Sequence, residues 1–180
     1  MKILKYSLFG VLIIAILSLI YFLNTPPKSP FEKVVFKNDS LELEVEYSRP
    51  YKKNRLIFGN EKDKALVPYE KYWRLGANNA TIFKNNKDIL FNNEKLLKGK
   101  YRMYAIPNEL DWVIVLNSEA GKFGYFEPDY DKDILRVTIP SQPLLGSIEQ
   151  FTIHIEENEN GISLVFKWDK TAITIPINSV

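Results

Sequence analysis

The sequence predicts an all-β fold, an antiparallel β-sandwich of jelly-roll or immunoglobulin-like type, preceded by one N-terminal transmembrane helix. Three observations predict it. From residue 31 onward apolar and polar residues alternate with period two, the mark of half-buried strands. Turn-forming pairs and clusters punctuate those runs, as at Pro107-Asn108 and Asp169-Lys170. Ahead of them lies an uncharged run at 6–23, YSLFGVLIIAILSLIYFL, that no soluble domain of this size needs on its surface.

That run has 18 residues. As a helix it would reach roughly 27 Å, close to the hydrocarbon thickness of a bilayer. It is longer than the apolar part of a cleaved signal peptide, and no small-x-small site follows Leu23. A lipoprotein signal needs a cysteine, and the chain has none. Residues 1–23 therefore read as an uncleaved signal anchor; the alternative is a cleaved signal peptide and an exported product. Lys2 and Lys5 stand before the run, Lys28 and Lys33 after it. The short amino-terminal flank with its α-amine favours the inside, which puts the remainder outside the cytoplasm. Residues 24–30, NTPPKSP, carry three prolines, which bar helix and favour an extended linker.

Residues 31–180 read as one domain. The clearest strand is at 41–47, where Leu41, Leu43, Val45 and Tyr47 alternate with Glu42, Glu44 and Glu46. Similar patterns occupy 101–106, 111–116, 135–139, 151–156, 162–168 and 172–177, with shorter candidates at 34–37, 55–58, 81–84 and 88–91. About ten strands with no sustained 3.6-residue period pack most naturally as two antiparallel sheets. A closed barrel is the second choice. Residues 59–79 are the least regular and read as a non-sheet insertion or short helix.

Composition removes several classes of function. Without cysteine there is no disulfide framework, thiolate metal site or thiol nucleophile. Of 24 basic and 22 acidic residues, Lys2 and Lys5 precede the domain, so the domain is neutral and has no electrostatic reason to bind nucleic acid. His154 is the only histidine, on the polar side of its strand, and no Gly-x-Ser-x-Gly turn accompanies it. Glu42, Glu44 and Glu46 sit at about 7 Å spacing on one strand face, which suits a polar outer surface better than a carboxylate pair across a cleft.

Three segments remain as candidate sites. Glu127, Asp129, Asp131 and Asp133 alternate in a short acidic loop, where calcium is the cofactor to consider. The EF-hand pattern fails, because Ile134 and Pro140 stand where Gly and Glu belong. Arg49 opens a basic turn at 49–55 suited to an acidic sugar, a lipid headgroup or phosphate. The segment 67–81 gathers Tyr69, Trp73, Arg74 and Asn78 around Gly76, a set of flat faces and polar donors fit for a polar ligand. The competing reading makes Trp73 a core plug, with Arg74 and Asn78 satisfying loop backbone.

Several of these residues carry a resemblance. Ser48-Arg49-Pro50, Arg55 to Gly59, Val67-Pro68-Tyr69, Trp73-Arg74, Gly76-Ala77-Asn78 and Ala80-Thr81 occur in an order similar to the bacterial family called domain of unknown function 2911. Leu97 with Gly99-Lys100-Tyr101, Ile106-Pro107 before Trp112, Asp133-Ile134-Leu135-Arg136-Val137, Phe151-Thr152-Ile153 and Trp168-Asp169-Lys170-Thr171 continue it, so that 47–177 is covered. The chain departs from the family pattern at Glu70, where Gly is expected, at Leu75, where Thr is, and at Asn79, where Glu is. The resemblance implies export and no assigned activity. Together these readings lead to an envelope-associated module that binds a ligand or partner, with Arg49, Tyr69, Trp73, Arg74 and Asn78 as binding residues and no catalytic residue assigned. The alternatives are a carboxylate-dependent hydrolase of envelope glycans and a structural or assembly module.

Overall fold

The computed structural model describes residues 2–180 except Thr25, Pro26, Lys122 and Asn160; the side chains of residues 2–5, 7–9, 22, 23 and 158 are also outside the description. The predicted linker and the turn at 158–161 thus lie partly outside the described residues, as do the side chains of Lys2 and Lys5. Helix α1 covers Lys2–Asn24. Val11, Leu12, Ile14, Leu17 and Tyr21 are all more than half exposed, so its apolar surface is not confined to one face. Among the described residues no helix is long and apolar enough to cross a membrane. The 18-residue run is complete only with side chains outside that set.

The remaining elements are mainly strands: β1 (Phe31–Lys37), β2 (Glu42–Ser48), β3 (Phe58–Gly59), β4 (Val67–Pro68), β5 (Thr81–Asn85), β6 (Ile89–Phe91), β7 (Glu94–Leu96), β8 (Gly99–Pro107), β9 (Asp111–Asn117), β10 (Asp133–Pro140), β11 (Gln142–Asn158) and β12 (Gly161–Ser179). Six form one antiparallel sheet in the order β1-β2-β5-β8-β9-β10, and four form a second in the order β11-β12-β6-β7. The two-residue strands β3 and β4 pair in parallel.

Alternation in the sequence becomes burial in the structure. On β2, Leu43, Val45 and Tyr47 are buried while Glu44 turns outward to Lys33 at 2.5 Å and to Lys84. The inward residues of both sheets share one apolar core that includes Val45, Phe83, Ile114, Phe151, Phe166 and Ile175. Its centre is aromatic. Trp73 lies 4.9 Å from Phe151, 5.5 Å from Trp112 and 5.8 Å from Trp168, centroid to centroid.

Two sequence expectations change, and one strand is additional to those expected. The pair Asp169-Lys170 does not reverse the chain: β12 runs through it, and Asp169, at φ 49°, sits where the pairing with β11 shifts register. A residue with positive φ can make a bulge as well as a turn, and here the partner strand continues alongside. Of the predicted strand at 55–58, only Phe58 is in a strand, because 51–55 folds as a basic turn. Strand β7 was hidden by its polar start, Glu94-Lys95. The irregular segment at 59–79 does hold a short 3₁₀ turn, Glu61–Asp63, with β4.

Candidate functional site

Two loops and the segment after α1 enclose a concavity of about 570 Å³, within the usual range for small-ligand sites. Its first wall is the corner at 74–78. Leu75 has φ 52° and Gly76 φ 143°, and a Cβ on Gly76 would stand 2.6 Å from the Ser48 carbonyl oxygen. Only glycine lets this backbone come so close to the end of β2. Thr81 Oγ1 donates to the Leu75 carbonyl at 2.6 Å, and Asn78 Nδ2 donates to Ser29 O at 3.3 Å and Ser48 Oγ at 3.4 Å.

The second wall is the turn at 50–55. Lys53 and Asn54 both adopt positive φ. Arg55 closes the turn on itself, with Nε donating to Lys52 O at 2.9 Å and Nη2 to Tyr51 O. Lys52 is turned away, 2.5 Å from Asp169. The third wall is Lys28 and Ser29. Trp73 and Trp168 close the floor, but at 7% and 1% exposed they offer edges to a ligand rather than stacking faces.

The lining has a one-sided charge. Lys28, Lys53, Arg55 and Arg74 face the concavity, and among the described residues no Asp or Glu lines it. None of these four cations forms an ion pair among the described residues. Arg74 donates from Nη1 to Asn78 O at 3.2 Å, and its guanidinium lies 5.6 Å from the Tyr125 ring centre. Held by neutral groups alone, it keeps its charge available to an anion.

Of the five predicted binding residues, the structure brings together Trp73, Arg74 and Asn78. Arg49 does not join them. It pairs with Glu32 at 2.8 Å and donates to Thr152 Oγ1 at 2.9 Å and Phe151 O, which ties β11 to the start of the first sheet. Tyr69 lies in a separate, more polar hollow with Asn60, Glu61, Asn108 and Asp111. Burial, and then the nearby Glu109 charge, pushes its hydroxyl pKa up. Sequence reasoning missed Lys28, Tyr51, Lys53, Arg55 and Trp168 as partners of Trp73. The basic turn was visible, but its meeting with residues about 20 positions later depends on long-range pairing.

The acidic loop has other work. Asp133 accepts hydrogen bonds from the Tyr104 hydroxyl at 2.9 Å and from Asn117 Nδ2 at 2.8 Å, and pairs with Arg136 at 2.7 Å. Asp129 caps the turn Tyr130–Lys132 and pairs with Lys132 at 3.1 Å. Glu127 accepts from the Tyr130 hydroxyl at 2.7 Å. Burial and that carboxylate push the Tyr130 pKa up to about 12. Asp131 is exposed. Among the described residues no three carboxylate or imidazole groups converge as they would on a metal ion. His154 contacts Glu156 at 2.5 Å on the outer face of β11. The displaced carboxylates, Glu44, Glu156 and Asp169, are all held below their ordinary range, the opposite of what a general acid needs.

No curated protein and no solved structure matches this chain significantly. A family model does: that described as "Protein of unknown function (DUF2911)" covers residues 29–177, from the third wall of the concavity into the last strand of the second sheet, and the chain belongs to that family.

Proposed function

We propose that this protein is a membrane-anchored, extracytoplasmic β-sandwich module of the bacterial cell envelope that binds an anionic ligand in the concavity of Lys28, Lys53, Arg55 and Arg74. The observation that carries the reading is the charge pattern: four cationic side chains around one hollow, with no carboxylate lining it among the described residues. Guanidinium and ammonium groups so placed suit a phosphate ester or a carboxylate-bearing sugar. The exposed Leu66, backed by the buried Pro50 and Val67, suits a ligand with a carbon skeleton as well as a charge. Support for anchoring comes from the uncharged run at 6–23 and from the exposure of apolar side chains around α1, a surface that water disfavours and lipid does not.

The test is a thermal-shift titration of the detergent-solubilised full chain with glycerol phosphate, glucuronate and neutral glucose. A ligand at 100 times its Kd stabilises by about 2.7 kcal/mol. An anion should therefore raise the melting point by several degrees, glucose should not, and Arg55→Ala with Arg74→Ala should remove the shift. Equal shifts with glucose, or shifts that survive the double substitution, would sink the reading.

An assembly role has one observation in its favour. Phe123, Tyr125 and Phe126 are each more than half exposed on one loop, an apolar surface of the kind that partners cover. Sedimentation of the full chain with and without Phe126→Ser tests whether a partner copy covers it.

A further inference from the structure

Resting on the binding reading above, we infer that the anion is the headgroup phosphate of an anionic phospholipid in the bilayer that holds α1. The first argument is chain length. α1 ends at Asn24, and Lys28 already lines the concavity, so three residues separate helix from site. An extended chain advances at most about 3.3–3.6 Å per residue, which keeps the Lys28 backbone within roughly 14 Å of the helix end. The headgroup layers make up the difference between a hydrocarbon core of about 30 Å and a total thickness of about 40–45 Å. Lys28 is thus confined to the headgroup zone or the first nanometre beyond it, about one Debye length at physiological salt.

The second argument is chemistry. Lys28 and Lys53 carry no side-chain hydrogen bond or ion pair among the described residues, and Arg74 is held only by the Asn78 carbonyl and the Tyr125 ring. Leu66, 41% exposed, lies on the same rim, where a glycerol backbone or the first acyl carbons would replace water. A soluble anion could fill the charged part of the hollow but would leave Leu66 wet. A lipid held by its phosphate satisfies both, and it is already concentrated beside the site by the anchor.

The experiment uses the full chain in nanodiscs, with unfolding followed by tryptophan emission, since Trp73 and Trp168 border the hollow. Discs of phosphatidylcholine are compared with discs containing about 30% phosphatidylglycerol, and glycerol phosphate is added to the former as the soluble arm. The expected result is a melting point several degrees higher with phosphatidylglycerol, lost in Arg55→Ala with Arg74→Ala. Lys28→Gln with Lys53→Gln is the second variant, because neither side chain carries a contact that holds the fold; it should lose the same shift.

A rise with glycerol phosphate and none with phosphatidylglycerol would overturn the lipid assignment and leave anion binding standing. A rise with phosphatidylglycerol that survives both double variants would be surface charge acting on the whole chain, and would overturn the assignment too. No rise in either arm would remove the binding reading itself.

Discussion

Two arginine–aromatic clusters in this protein have nearly the same composition and opposite designs. Around Arg74 the guanidinium meets Asn78 O and the Tyr125 ring at the edge of an open hollow. Around Arg102, on the outer side of β8, the side chain is 1% exposed, donates from Nη2 to Tyr72 Oη and Phe126 O, and leaves Nε and Nη1 buried with no hydrogen-bond partner among the described residues. The same loop serves both, since Tyr125 and Phe126 are neighbours. It lies so close to the sheet that a Cβ on Gly124 would stand 2.7 Å from the Ala80 backbone nitrogen. Residue type alone does not separate an open arginine cluster from a structural plug; access to water does, and it is set by how closely the covering loop approaches.

The largest expected effect tests the floor against the rim of the open cluster. Trp73 is packed by Phe58, Trp112, Phe151 and Trp168, so Trp73→Ala should cost about 3–5 kcal/mol through the cavity it leaves. Arg74→Ala, at a half-buried residue held by one neutral hydrogen bond and a ring contact, should cost about 0.5–1 kcal/mol. It should instead weaken anion binding by about tenfold, near 1.4 kcal/mol. Urea denaturation and an anion titration on each variant separate the two. A rim variant as unstable as the floor variant would mean that the hollow is part of the core.

The closed cluster predicts a split between two substitutions. Arg102→Ala removes a large buried side chain, strands Phe126 O, leaves Tyr72 Oη with only its bond to Gly124 O, and should cost about 3 kcal/mol. Arg102→Met keeps most of the volume and removes a buried charge that two of its three nitrogens do not satisfy. It should cost under about 1 kcal/mol or stabilise. If Met proves as costly as Ala, the charge itself holds the loop, and Arg102 resembles Arg74 more than its burial suggests.

How much of this was legible follows from which interactions are local. The inward face of β2 could be read residue by residue, because Leu43, Val45 and Tyr47 obey a two-residue period and nothing overrides it. The continuity of β12 through Asp169 could not, since a bulge and a turn draw on the same residues and the partner strand decides between them. Trp73, Arg74 and Asn78 were identifiable because they share one corner. Lys28, Lys53 and Arg55 joined them only through folding, and Arg49 was lost to an ion pair with Glu32, a residue 17 positions away in the neighbouring strand.

A third polar cluster sharpens the contrast, because its charges are fully paired. Burial pushes the Glu44 carboxyl up, but hydrogen bonds from Lys33 and Lys84 outweigh it and hold the pKa at about 2, below the ordinary 4.5. A carboxyl lowered on folding adds stability above its unfolded pKa, and that stability is lost as pH falls from about 4.5 through about 2. The exposure of the two lysines limits the contribution to about 1 kcal/mol after screening. Glu44→Gln should therefore flatten the acid limb of the stability–pH curve between those values. An unchanged limb would show that the lysines pair elsewhere. No such limb is expected of the cationic hollow, which has no carboxylate to protonate.

The smallest effect concerns a residue near neither arginine. Glu70 has φ 61°, a conformation that costs a side-chain-bearing residue about 1–2 kcal/mol, and its backbone N–H is fixed to Pro107 O at 2.8 Å. The resemblance to the family leads one to expect glycine here, a residue that adopts this backbone conformation without strain. Glu70→Gly relieves the Cβ strain but frees the unfolded chain, which offsets about 0.5–1 kcal/mol of the gain. The net stabilisation should be about 0.5–1 kcal/mol, seen as a higher urea midpoint at unchanged slope. Asn78, at φ 58°, is the control: asparagine tolerates that region and its amide holds Ser29 and Ser48, so Asn78→Gly should destabilise instead. If both variants move the midpoint the same way, backbone strain is not what separates the Asn78 corner from the Glu70 turn.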